Sequence, residues 1–144
     1  MVSSRLFPFP PSRVYGAFAD PVTLARWWGP HGAVNAFEAF DLRPGGEWRF
    51  TMEGPWGRLA MRKTFTAVEP GRRIALRHDQ QGHTFVLDMR MEPAAGGTRL
   101  TWTTTFETAQ QLAAVRAAFA KGNQENLDRL SAVLRGQAPA PDNA

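Results

Sequence analysis

The chain contains no cysteine. Disulfides, thiolate nucleophiles and thiolate metal ligands are excluded together, and the absence fits a reducing compartment such as the cytoplasm. Long hydrophobic runs are also missing. No stretch approaches the eighteen or more apolar residues of a membrane helix, so stable membrane insertion is not expected. The opening "MVSSRLFPFPP" does not read as a signal peptide, because Pro8, Pro10 and Pro11 break its short apolar run. Charge is not gathered in blocks. Seventeen basic and 13 acidic residues leave a net charge of +4, and the closest basic runs are Arg62-Lys63 and Arg72-Arg73. A nucleic-acid surface collects such residues on one face, so no nucleic-acid partner is expected. Gly45-Gly46 and Gly96-Gly97 stand in turns with no helix after them, so no phosphate loop is present. No cofactor is implied.

What is there fits one domain. The 144 residues suffice for a core without staples. The domain is expected over residues 1–135, and the tail "GQAPAPDNA" is expected to be disordered. "SRLFPF" reads as a short edge strand, since proline fits a sheet only at an edge or end. Pro10-Pro11-Ser12 opens a first helix with Val14, Ala17 and Phe18 on one face. Asp20-Pro21 is a helix N-terminus, and a second helix over 21–28 carries Leu24, Trp27 and Trp28 before Gly29-Pro30 stops it.

From residue 33 the period becomes two. "VNAFEAFDL" alternates imperfectly, "EWRFTME" cleanly, and "RLAMRKTFTAVEP", "RRIALRHD", "HTFVLDMRME" and "TRLTWTTTFE" follow the same rule. One face is apolar. The other carries threonine and the paired charges of Glu47, Glu53, Asp88, Arg49, Arg62, Arg77 and Arg90. Residues 109–134 then read as a long helix, capped by Thr108 with Gln111 in the capping-box position. A single helix about 10 Å across cannot fill a broad twisted sheet. A hollow beside it is expected, with Trp27 and Trp28 closing one end. The fold class is therefore α+β: a curved antiparallel sheet of six or seven strands gripping a C-terminal helix.

Four segments, "DPVTLARWWGPHG", "FDLRPGGEWRF", "GGTRLTWTTTFET" and "NQENLDRL", together resemble bacterial proteins related to the C-terminal domain of the activator of Hsp90 ATPase. That family belongs to the START-like, or polyketide cyclase and lipid-transport (SRPBCC), superfamily. The resemblance spans roughly residues 5–134. It implies a helix-grip (START-like, Bet v 1-like) fold with two short helices after the first strand and a cavity under the last helix. The short, Pro-rich N-terminal strand departs from the family pattern. The co-chaperone activity resembles a property of the larger eukaryotic protein, which has a separate N-terminal domain.

Candidate cavity residues are Trp27, Trp28, Phe50, Met52, Met61, Leu76, Leu87, Met89, Trp102, Thr104 and Phe119, with Gly122, Asn123 and Asn126 interrupting the helix stripe. Glu38, His31 and His78 are the candidate acids or bases. Glu38 is expected to face water while Phe37 packs inward. His31 lacks the sequence neighbours of a triad. His78 and His83 are expected to be solvated hairpin residues. A zinc site of His78, His83 and Asp79 would need three or four ligands at defined geometry, and Asp79 alternates to the face opposite His78, so no metal is expected. Lys63 breaks the apolar face of its strand, either snorkelling at the sheet edge or meeting a ligand's negative group. The leading expectation is a binder of a small apolar or aromatic molecule, monomeric or homodimeric, with an enclosed pocket and no close pair of titratable groups. An enzyme of cyclase, dehydratase or hydrolase type in the same cavity, and a chaperone-interacting module, are the alternatives.

Overall fold

The structure, a computed structural model, describes residues 1–80 and 83–136. The end of the "DQQG" turn, the side chain of His83 and the expected disordered tail from residue 137 onward lie outside the described residues.

The chain begins with β1 (Val2–Phe7), followed by α1 (Pro11–Ala19) and α2 (Pro21–Trp27). Pro11 occupies the first turn of α1, where its missing N–H is no loss, and α1 buries Val14, Ala17 and Phe18. Asp20 serves both helices. Its backbone N–H donates to the Gly16 carbonyl and closes α1, while its carboxylate accepts from the Val22 N–H at 3.1 Å and the Thr23 hydroxyl at 2.8 Å to open α2. The helix stops because Trp28 turns extended and Gly29 follows at φ 97°. A Cβ on Gly29 would lie 2.8 Å from Ala33 and 2.9 Å from Met52, so glycine is required there twice over.

Six further strands follow: β2 (Val34–Phe40), β3 (Glu47–Gly54), β4 (Gly57–Glu69), β5 (Arg73–Gln80), β6 (His83–Ala94) and β7 (Gly97–Phe106). They form one antiparallel sheet with β1, in the order β1-β7-β6-β5-β4-β3-β2. The two edges, β1 and β2, are joined through α1 and α2, which carry the chain from one side of the sheet to the other. The Pro-rich start pairs within the chain: β1 lies along β7 from Val2 opposite Thr103 to Phe7 opposite Thr98. The imperfect alternation of "AFEAF" is a β-bulge between Phe37 and Ala39. The extra residue, Glu38, resets the phase and lets both Phe37 and Phe40 reach Trp48. The Gly45 N–H donates to the Phe65 carbonyl and the Phe65 N–H to the Gly46 carbonyl, so the "RPGG" loop is stitched to β4.

The last element, α3 (Ala109–Leu134), starts with both halves of the capping box formed between Thr108 and Gln111. It crosses the concave face against α1, α2, β1 and β7. The charges of the outer face pair as their alternation implies, with Arg49 on Glu47, Arg58 on Glu53, and Arg73 and Arg90 both on Asp88. Each exposed pair contributes little, about 0–1 kcal/mol. Stability comes from the inner face, where one continuous cluster runs from Phe7 through Trp27, Trp28, Trp48 and Trp102 to Leu134.

Candidate functional site

The tryptophan corner comes first. Trp27 and Trp28 are both buried. Trp27 donates its indole N–H to the Ala17 carbonyl at 2.9 Å and meets Phe18 edge-on. Trp28 stacks on Trp102 with centroids 5.3 Å apart and meets Trp48 edge-on at 4.9 Å. Such pairs add about 0.5–1.5 kcal/mol each beyond area burial. These indoles therefore form the solid end of the grip.

The loop after them is held from α3. Arg129, 5% exposed, donates to the carbonyls of Arg26, Trp28, Gly29, Pro30 and Ala33 at 2.8–3.2 Å. Asn126 accepts from the Gly29 N–H, and Glu125 from the His31 N–H. Asn123 donates to the Ser3 hydroxyl. Sequence reasoning missed Arg129, because a buried arginine serving carbonyls about a hundred positions away leaves no periodic trace. Its only signal was that "WWGPHG" and "NQENLDRL" occur together.

The two halves of α3 differ. Within residues 123–134, Asn123, Asn126, Leu127, Arg129, Leu130, Ser131 and Leu134 are buried. Within 109–122 no residue is buried, and Leu112, Val115 and Phe119 are only half-covered. Gly122 stands at the boundary. A Cβ there would meet nothing within 4 Å, so close backbone packing does not explain the glycine. Beside this loose half, a depression of about 190 Å³ opens between Met1, residues 104–109 and Leu112.

On the inner face of the sheet, a row of side chains is set by register across five strands, and its last member, Phe106, also lines that depression. Trp48 pairs with Lys63, Lys63 with His78, His78 with Phe85, and Phe85 with Phe106. Phe119 of α3 meets both Phe85 and Phe106 edge-on, at 5.5 and 5.1 Å. Lys63 and His78 are 4% and 3% exposed. This overturns both the edge-snorkelling expectation for Lys63 and the solvated expectation for His78: the strand phase carries them to the inner face, where both are buried. The Lys63 Nζ lies 3.1 Å from His78 Nδ1 and 5.5 Å from the Phe85 ring centre, while the His78 ring stacks on Phe85 at 4.6 Å. Burial, through the lost hydration of the ammonium, pushes the Lys63 amine down to about 7. A close pair of titratable groups is thus present on the inner face, where none was expected of a plain binder.

The other candidates fall as follows. Phe50, Leu76, Leu87, Met89 and Trp102 are in the buried cluster, with Met52 at the Gly29 corner and Met61 half-buried against it. Thr104 is buried on β7, its backbone exchanging hydrogen bonds with Met1. Glu38 faces outward and accepts from the Thr51 hydroxyl at 2.9 Å. His31 is exposed, 3.8 Å from Glu125. Neither joins the inner row. Among the described residues no group of three metal-ligating side chains converges, and no helix is long and apolar enough to cross a membrane.

This architecture, a curved seven-strand sheet gripping a long helix with two short helices after the first strand, is the START-like helix-grip. The chain belongs to the Activator of Hsp90 ATPase homolog 1-like family, whose model matches residues 8–135. Solved structures agree. Protein CV1439 from Chromobacterium violaceum is 26% identical with a TM-score of 0.82, over 93% of this chain and 95% of that one. Protein Ms6760 from Mycobacterium smegmatis is 26% identical at 0.83, over 94% and 90%. A protein from Arthrobacter aurescens is 25% identical at 0.85, over 98% and 87%. No functionally curated protein matches the sequence.

Proposed function

We propose that the protein binds a small apolar or aromatic molecule between the N-terminal half of α3 and the inner face of the sheet. The observation that carries this reading is the contrast within α3: a sealed C-terminal half, and an N-terminal half whose apolar residues are only half-covered over an aromatic floor. Apolar walls with a few polar groups are what such ligand sites require. The START-like class supports the same reading.

Native mass spectra of freshly purified protein test it. A reproducible extra mass lost on denaturation is the expected result. A clean apo mass, together with no binding of 2-naphthalenemethanol at millimolar concentration, overturns it. The Lys63–His78 contact favours one second reading, an enzyme using the Lys63 amine as a base. A bound molecule that leaves with a changed mass after incubation supports that reading. One that leaves unchanged supports the binder.

A further inference from the structure

We propose that Lys63 and His78 form the recognition end of this ligand space, and that its ligand carries one acidic group, a carboxylate or a comparably acidic hydroxyl, docked on the Lys63 ammonium. The inference rests on the binding reading and narrows it to a class of molecule.

Three observations carry it. The first is position. Lys63 is the one cationic side chain in an otherwise aromatic and imidazole row, and register places it mid-sheet between Trp48 and His78. The second is the absence of a counter-charge. Among the described residues its amine contacts only His78 and the face of Phe85. A buried ammonium without an anion is strongly disfavoured, and removing the lysine in favour of an apolar residue would be the simpler way to build a closed core. The third is an excess of donors. An ammonium brings three N–H groups, and the indole N–H of its register neighbour Trp48 is buried with no hydrogen-bond partner among the described residues. Donors without acceptors suit a ligand that supplies oxygens and negative charge.

Charged side chains of the surrounding strands point away: Glu47 and Arg49 of β3, Arg62 of β4, Arg77 and Asp79 of β5 and Arg90 of β6 lie on the outer face, where Asp88 of β6 also pairs with Arg73. On α3, Arg116 and Lys121 are exposed, and Glu125 is turned to His31 and Lys121. His78 is the titratable group in contact. With the Lys63 amine lowered to about 7 by burial, it is largely neutral at pH 8.5 in the empty protein. A carboxylate binding there would recruit one proton from solvent, giving an ammonium–carboxylate pair. Below pH 7 the ammonium already exists and no uptake is needed.

The test is calorimetric titration of 2-naphthoate and of 2-naphthalenemethanol at pH 6 and pH 8.5, each in two buffers of different ionisation heat. Wild type is compared with Lys63→Met and Lys63→Gln after thermal unfolding has shown which variants are folded. The expected result is a preference of about tenfold or more for naphthoate at pH 6, weakening by about tenfold per pH unit above 7. Uptake should approach one proton at pH 8.5, and the alcohol should be insensitive to pH. Both variants should lose the preference and the uptake while still binding the alcohol. Equal binding of the two probes, naphthoate binding without proton uptake, or a preference retained in the variants overturns the acid site and leaves the binding reading standing. If neither probe binds at millimolar concentration, both fall.

Discussion

Lys63 is a costly residue to fold. Its amine leaves water without gaining a carboxylate among the described residues, and burial lowers its pKa from an ordinary value of 10.5 to about 7. The folded state therefore resists a proton that the unfolded state takes readily. Between about pH 7 and 10.5 the unfolded chain binds more protons, so stability from this group rises with pH across that window, with a slope of at most ~1.4 kcal/mol per unit. Below pH 7 the penalty is complete, and above 10.5 it is gone. Lys63→Met keeps the volume and removes the amine. It should raise the unfolding free energy at pH 7 by about 1–4 kcal/mol, and the gain should shrink as pH approaches 10. Urea unfolding of both proteins from pH 6 to 10 measures the difference directly. A gain that does not change with pH would contradict the burial argument.

At the scale of elements, α3 is a latch as much as a lid. Arg129 donates to carbonyls at the end of α2 and through the loop to Ala33, sharing that of Trp28 with the Asn35 amide and that of Pro30 with the Ala33 N–H. Arg129→Met should cost about 3–5 kcal/mol by removing the one side chain that donates to all of these carbonyls. Arg129→Lys should recover only part of this, because a point charge cannot reproduce the guanidinium fork. Chemical denaturation of the two variants checks the order. Gly122 should behave oppositely. Its added Cβ meets nothing, so Gly122→Ala should stabilise α3 by about 1 kcal/mol on helix propensity alone.

The same elements show what the sequence made legible. Both short helices, the long helix with its capping box, and the inner and outer faces of most strands were readable, because caps and periodicity are local physics. The bulge at Glu38 blurred its strand because one extra residue shifts the phase. Lys63 was visible as a break in an apolar face and His78 was read as a solvated hairpin residue, because nothing in one dimension says that the two, fifteen residues apart, pair across neighbouring strands or that both are buried. Arg129 was invisible for the same reason: its partners lie in another element, and a polar residue at a helix–loop contact has no period.

For the whole molecule the consequence is a grip that is tight at one end and loose at the other. The tryptophan corner, Arg129 and the buried leucines of α3 join α1, α2 and the sheet into one core. At the other end α3 is held by its cap and by Phe119 on Phe85 and Phe106. Local opening follows the density of buried contacts. Backbone amides in residues 113–122 should therefore exchange with deuterium faster than those in 123–134, by about tenfold or more, although both lie in one continuous helix. A ligand seated over the aromatic row would supply the missing contacts and slow the first group while leaving the second unchanged. Hydrogen exchange with mass-spectrometric detection, with and without 2-naphthoate, separates the cases. Uniform protection along α3 in the free protein would mean that the helix is seated throughout. A selective gain in its first half would place the ligand under the end of the grip that the protein's own side chains leave open.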